Sequence, residues 1–212
     1  MCRPRSAARF STIRKGNTSL LDAILNSPLS GLLGRQARDL LVDGRPCSLA
    51  EIPFVDMLNL RGDASDPRFS KAVLETTGMV LPTMPNTASI DPQRQLLWLG
   101  PDEWLLKLRD RQGEAIAIAL ESALQGQHNA VVDVGHGNTT LLLQGPGSGD
   151  LLARGCPIDL HPRAFPTGAL AQTHVAKASA TVLCMYAGIQ YELTVRRSFA
   201  DYLVRWLCEA GR

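Results

Sequence analysis

Three strand-like segments follow one another near the C-terminal end of the chain, with no helical segment between them. They lie at residues 169–175, 180–186 and 190–195. A doubly wound parallel fold requires strands and helices in strict alternation, because neighbouring parallel strands need a crossover connection. This run of strands therefore predicts an α+β protein in which antiparallel strands are prominent.

The remaining segments repeat a rhythm of strands and helices in two halves. Further strands are predicted at residues 51–60, 96–100, 103–108, 131–134 and 139–143. Helices are predicted at residues 67–78, 112–125, 147–154 and 198–209. Gly78 should end the first of these helices, and Ser198 should cap the last. The sequence thus predicts two packed α+β subdomains, residues 51–128 and residues 129–212.

Residues 1–50 precede these subdomains and are interpreted as an N-terminal arm that is partly disordered or binds a partner. The first 15 residues carry five basic and no acidic side chains, so an organellar targeting segment is an alternative interpretation. A short amphipathic helix is expected between Ser19 and Leu33, interrupted at Pro28.

Charge, cysteine content and hydropathy limit the partners of the chain. The formal net charge is only +2, which argues against nucleic acid as the main ligand. The five cysteines include no C-x-x-C pair, so neither a disulfide framework nor a zinc knuckle is indicated, and a cytoplasmic location is expected. The apolar runs fall far short of the roughly 18 residues that a membrane-spanning helix needs. We therefore expect no nucleic acid and no membrane partner.

Two motifs that could carry chemistry are better explained as structure. The glycine-rich corner at residues 145–149 lacks both the sixth-position glycine of a dinucleotide fingerprint and the Gly-Lys-Ser/Thr of a phosphate loop. Asp133 and His136 flank a strand end, where they could orient a general base. A hydrogen bond from the turn that contains Gly135 to the Asp133 carboxylate is the more economical interpretation.

Cys156 and His161 could form a thiolate–imidazole pair or, with Asp159, contribute metal ligands. No second group of ligands completes such a site, and Pro157 and Pro162 stiffen the segment. A buried thiol beside loop-capping polar groups is favoured, and a cysteine-dependent enzyme is the alternative. No catalytic, cofactor-binding or metal-binding residue is assigned.

Trp98 and Trp104 flank an acidic turn that contains Asp102 and Glu103. Large aromatic side chains either anchor a protein interface or fill a core. Both interpretations of these two tryptophans stay open at the level of the sequence.

Five stretches of the chain, taken in order, resemble the gamma subunit of heterotetrameric sarcosine oxidase. They are LRGD at residues 60–63, LPTMPNT at 81–87, LWLGPDEWLL at 97–106, GCPIDLHPRAF at 155–165 and VRRSFADYL at 195–203. The resemblance covers about residues 51–210 and implies a fold related to the folate-binding domain of the glycine-cleavage aminomethyltransferases. Gly135 stands where that superfamily commonly has serine, so no role that needs a hydroxyl is carried over to this position.

The resemblance implies that the alpha and beta subunits carry FAD, FMN, NAD and the tetrahydrofolate site, and that a delta subunit holds zinc. The gamma chain would bind none of these cofactors, so we predict a non-catalytic assembly subunit whose partners are the alpha, beta and delta subunits. The candidate interface comprises Trp98, Asp102, Glu103, Trp104, Asp159, His161, Arg163, Arg196 and Arg197. A free-standing folate-binding protein of the transferase or repair type is the alternative.

Overall fold

A computed structural model describes residues 26–33 and 37–212. The strands are β1 (Arg38–Val42), β2 (Arg45–Ile52), β3 (Asp56–Arg61), β4 (Ala88–Ile90), β5 (Arg94–Gly100), β6 (Glu103–Leu108), β7 (Ala130–Asp133), β8 (Asn138–Gln144), β9 (Leu170–Val175), β10 (Ala178–Tyr186) and β11 (Gln190–Arg196). The helices are α1 (Pro67–Thr77), α2 (Gly113–Ala123), α3 (Ser148–Ala153) and α4 (Arg197–Ala210). None of these four helices is long and apolar enough to cross a membrane.

The strands form two antiparallel sheets. The first sheet has six strands in the order β1-β2-β8-β11-β10-β9, and the second has five in the order β4-β5-β6-β3-β7. Every strand pair in both sheets is antiparallel. The predicted α+β class with mainly antiparallel strands is confirmed.

The described chain is built in four layers, with the two sheets in the middle. Helices α3 and α4 pack on the outer face of the six-stranded sheet, and α1 and α2 cover the outer face of the five-stranded sheet. The inner faces of the sheets meet in a smaller apolar cluster that consists of Val55, Met57, Leu97, Leu105, Leu170 and Leu183. Side chains alternate between the faces of each strand, so every central strand contributes to two layers.

The ends of α1 and α4 follow different local rules. The Asp66 carboxylate accepts a hydrogen bond from the backbone N–H of Arg68, and Gly78 ends α1 in the left-handed conformation at φ +71°. The predicted cap at Ser198 is wrong, because α4 already begins at Arg197 and Arg196 occupies the cap position without a side-chain cap. Strand β11 runs directly into α4, which leaves no loop residue to serve as a cap.

The strand predicted at residues 51–60 is in fact two strands in different sheets. β2 ends at Ile52 and β3 begins at Asp56. Pro53 has no N–H to donate to a neighbouring strand, and Phe54 adopts a left-handed conformation at φ +58°. The chain therefore leaves the six-stranded sheet and enters the five-stranded sheet within three residues.

The two sheets do not follow the subdomain boundaries predicted at residues 50 and 128, because strands from either side of a boundary pair in one sheet. Residues 38–52 form β1 and β2, which join the six-stranded sheet through β8 and are not a separate arm. Residues 130–133 form β7, which pairs with β3 in the five-stranded sheet. The two layers are thus assembled by pairing between distant segments, which the order of elements along the chain does not reveal.

Of the predicted arm, the structure describes residues 26–33 and 37–50. The basic segment and the first seven residues of the helix expected between Ser19 and Leu33 lie outside the described residues. Residues 28–33 form turns, and Leu29 and Leu33 are buried in the core beneath the six-stranded sheet.

Candidate functional site

The β5–β6 hairpin carries the two tryptophans, which face each other across the strand pair. Trp104 is completely buried, and its indole N–H donates a hydrogen bond to the carbonyl of Pro82 at 2.8 Å. Its ring centroid lies 5.5 Å from that of Phe69 on α1. Trp98 packs against the same core but is only partly buried. The prediction of Trp104 as an interface residue is therefore corrected, because alternate residues of β6 point toward α1 and α2.

The acidic turn of this hairpin is held by a residue that the sequence did not single out. The Arg61 guanidinium contacts Asp102 at 2.6 Å and Glu103 at 3.5 Å, and the amide of Asn59 donates to Glu103 at 2.7 Å. The hydrogen bond from Arg61 holds the pKa of Asp102 below its ordinary value. Arg61 of the LRGD stretch thus fixes the shape of the LWLGPDEWLL turn. The sequence does not show this contact, because Arg61 and Asp102 are 41 residues apart.

Glu103 and Arg196 line one cleft between the inner faces of the two sheets. This cleft has a volume of about 470 Å³. Gln172 donates a hydrogen bond to the carbonyl of Leu99 at 2.6 Å and so links β9 to β5 beside it. The structure therefore brings together two candidate interface residues that are far apart in sequence.

A second cleft, of about 350 Å³, lies near Arg197, Asp133 and His136. Arg197 donates to the carbonyl of Asn26 at 2.9 Å. The Asp133 carboxylate accepts a hydrogen bond from the backbone N–H of Gly135 at 2.8 Å, which confirms the structural interpretation of this aspartate. No hydrogen bond joins Asp133 to His136 in the described part of the chain.

The 155–165 loop is shaped by its own polar side chains. The Asp159 carboxylate accepts from the backbone N–H of His161 at 2.9 Å, and Nδ1 of His161 accepts from the N–H of Arg163 at 3.2 Å. Cys156 is buried and, among residues 26–33 and 37–212, makes no hydrogen bond to His161. These contacts favour the capping interpretation over a thiolate–imidazole pair.

The glycine-rich corner is occupied by contacts within the chain. The N–H of Gly145 donates to the carbonyl of Ile189 at 2.8 Å, and the N–H of Gly147 donates to that of Pro46 at 3.1 Å. A side chain at Gly145 would lie 2.5 Å from the Pro46 oxygen. Gly145 and Gly147 therefore permit close packing against the β1–β2 turn, and the backbone N–H groups of these two residues are already used within the chain.

A buried charged cluster joins the two sheets. Lys107 on β6 lies 2.7 Å from the Glu192 carboxylate on β11, and Arg109 and Gln95 bind the same carboxylate. Burial alone would raise the pKa of Glu192, but the neighbouring positive charges and the Gln95 amide hold it below its ordinary value. Burial lowers the pKa of Lys107, although Glu192 opposes this shift. This cluster was not predicted from the sequence. The feature that could have revealed it is a charged residue, Lys107 or Glu192, within each of two otherwise largely apolar strands.

The fold and these sites define a class of protein. It is a four-layer α+β protein whose sequence motifs build an exposed hairpin turn, a surface loop and parts of two cleft walls. Within the described ranges, no three His, Cys, Asp or Glu side chains stand close enough to hold a metal ion.

Comparison with known proteins identifies the family within this class. The sarcosine oxidase, gamma subunit family matches residues 61–212, so the chain belongs to that family. It is 30% identical over 198 residues to sarcosine oxidase subunit gamma of Corynebacterium sp. (strain U-96), covering 92% of this chain and 94% of that one. It is 32% identical over 164 residues to the subunit of the same name from Corynebacterium sp. (strain P-1), covering 76% and 78%. The resemblance found in the sequence is confirmed.

Solved structures give the same result for the fold. A chain of the heterotetrameric sarcosine oxidase from Corynebacterium sp. U-96 in complex with pyrrole 2-carboxylate superposes with a TM-score of 0.81 at 28% identity, covering 89% of this chain and 95% of that one. Aminomethyltransferase T of the glycine cleavage system from Bartonella henselae superposes with a TM-score of 0.55 at 16% identity, covering 75% and 44%. The second likeness concerns the fold alone, and it confirms the predicted similarity of fold to a glycine-cleavage aminomethyltransferase.

Proposed function

We propose that this chain is a non-catalytic assembly subunit of a heterotetrameric sarcosine oxidase. The observation that carries the proposal is the alignment with nearly the whole length of a chain from such a heterotetramer. The arrangement of the motifs supports it. The turn of the LWLGPDEWLL hairpin lies at the surface and is held in shape by Asn59 and Arg61 of β3. The GCPIDLHPRAF loop is held in shape by its own hydrogen bonds. Rigid surface elements of this kind lose little conformational entropy on binding.

In this proposal the chemistry belongs to the other subunits. The complex oxidises the N-methyl group of sarcosine with oxygen, releases glycine and hydrogen peroxide, and transfers the one-carbon unit to tetrahydrofolate to give 5,10-methylenetetrahydrofolate. FAD, FMN, NAD and tetrahydrofolate are assigned to the alpha and beta subunits and zinc to the delta subunit. The location is cytoplasmic, in keeping with the four buried free thiols at Cys47, Cys156, Cys184 and Cys208.

The interface is proposed to use three separate surfaces of this chain. The first is the hairpin turn with Trp98, Asp102 and Glu103. The second is the loop with Asp159, His161 and Arg163. The third is the junction of β11 and α4, which presents Arg196 and Arg197 beside the two clefts.

Co-expression with the flavin-bearing partner chains tests this function. The partners should form a heterotetramer that oxidises sarcosine when this chain is present, and should yield incomplete or unstable assemblies when it is omitted. Assembly is measured by mass photometry, and turnover by hydrogen peroxide release. Equal assembly and equal turnover without the chain would reject the proposal.

The fold likeness to an aminomethyltransferase suggests one further measurement. Calorimetric titration of the purified chain with tetrahydrofolate should give no heat of binding if the chain has only an assembly role. A saturable heat would instead favour a folate-binding protein.

A further inference from the structure

We propose that a surface groove beside α3 binds a segment of a partner subunit in which an apolar side chain stands next to a lysine or an arginine. The α3 groove, as we name it, is bounded by α3, by residues 157–162 and by the turn at residues 187–189. This inference rests on the proposed assembly function and specifies what one of its three surfaces recognises.

The α3 groove is large enough to hold more than one side chain of a partner segment. Its volume is about 670 Å³, within the range of about 300–1,000 Å³ that is usual for ligand pockets. Most of its lining is small or apolar, including Gly149, Ala153, Ile158, Pro162 and Ile189. An apolar side chain of a partner would lose contact with water here without burying a charge.

The walls of the groove are already fixed in the isolated chain. The Tyr191 hydroxyl accepts a hydrogen bond from the N–H of Gly188 at 3.1 Å and lies 3.5 Å from the carbonyl of Leu160. Ser148 on α3 donates to the carbonyl of Ile189 at 2.8 Å. These bonds tie all three walls together, so a partner meets a preformed site and little ordering opposes its binding.

Charges at the rim indicate which residue accompanies the apolar side chain. Asp150 and Asp159 both line the groove, and Arg45 pairs with Asp150 at 2.9 Å. Asp159 accepts only the backbone N–H of His161 and has no cationic partner in the described part of the chain. The groove is also lined by His161; with histidine counted as neutral, the lining residues carry one excess negative charge. This charge attracts a lysine or an arginine and repels a phosphate or an acidic peptide.

Two substitutions separate the apolar and electrostatic parts of this recognition. Ala153→Phe places a ring in the groove from an exposed position of α3. Asp159→Asn removes the charge but keeps an oxygen that can accept the His161 hydrogen bond. The matched controls are Ala119→Phe, at an exposed position of α2, and Asp201→Asn, on α4. The four variants are co-expressed with the partner chains, and the Kd of this chain in the complex is measured by mass photometry during dilution.

We expect Ala153→Phe to raise this Kd about tenfold or more, since overpacking a filled site is costly. We expect Asp159→Asn to raise it about threefold to fivefold, the usual worth of an accessible ion pair, and this increase should shrink in about 0.5 M salt. The controls should match the parent. Thermal unfolding of each variant checks that the chain is folded.

The outcomes separate this inference from the proposed function. A complex that needs the parent chain but assembles equally well with folded Ala153→Phe and Asp159→Asn would refute the groove and leave the assembly role intact. Tighter binding of Asp159→Asn would show an acidic occupant and would also overturn the inference. A complex that forms without this chain would remove the assembly role itself.

Discussion

Replacing Glu192 by glutamine should destabilise the fold strongly. The Lys107 ammonium lies 2.7 Å from the Glu192 carboxylate, and the two side chains are only 2% and 1% exposed. At an effective dielectric constant of about 20, the attraction at this distance is about 6 kcal/mol, much of which offsets the desolvation of the two ions. Glutamine removes the attraction and leaves Lys107 buried, so we expect a loss of about 3–5 kcal/mol in the free energy of unfolding.

Thermal unfolding of the full chain measures this loss. Each 1 kcal/mol corresponds to about 2–4 °C in a chain of this length, so Tm should fall by about 6–20 °C. Adding Lys107→Met to the glutamine variant should recover much of the decrease, because the uncompensated charge is then removed. Asp201→Asn breaks an exposed pair with Arg205 and should leave Tm unchanged. A Tm for Glu192→Gln within about 2 °C of the parent would refute the reasoning.

The same cluster predicts how stability depends on pH. The pKa of Glu192 is below its ordinary value in the folded protein, so the unfolded chain takes up a proton first as the pH falls. The stabilisation is complete above the ordinary pKa of a glutamate and is lost as the pH falls through the lower folded value. Glu192→Gln should therefore weaken the acid dependence of the unfolding free energy, as measured by denaturant titration across that range.

Three further substitutions test individual contacts. Trp104→Ala should cost about 3–5 kcal/mol of unfolding free energy, measured by denaturant titration, whereas Trp98→Ala should affect assembly more than stability. Thr140→Val should raise the unfolding free energy by roughly 1 kcal/mol, because the Thr140 hydroxyl is buried without a hydrogen-bond partner in the described structure. Gly155→Ala should lower Tm, because its new methyl group would overlap the ring of Trp206; an unchanged Tm would contradict that packing.

The fold class and most elements could be predicted because they depend on local patterns. Helix α1 has a proline at its start and Gly78 at its end, and both signals operate within one turn of the chain. The burial of Trp104 was also within reach of the sequence. It shares its strand face with Leu106 and Leu108, which are apolar at every second position.

Other features depend on pairing between distant segments, which one sequence does not encode visibly. The pairing of β2 with β8 and of β7 with β3 moves strands across the predicted boundaries. The ion pair between Lys107 and Glu192 joins different sheets, so the sequence around one residue does not identify the other as its partner. In each case the decisive contact is tertiary, and local propensity is the same whether or not it forms.

The position of β1 and β2 has a practical consequence for work with fragments of this protein. The range matched by the family begins at residue 61, and a fragment cut there would lack two of the six strands in the first sheet. Strand β8 would become an open edge with unsatisfied backbone groups, which invites pairing with other chains. The core would also lose Val42, Cys47 and Leu49. A soluble fragment should therefore start before residue 38, even though the recognisable family motifs begin later.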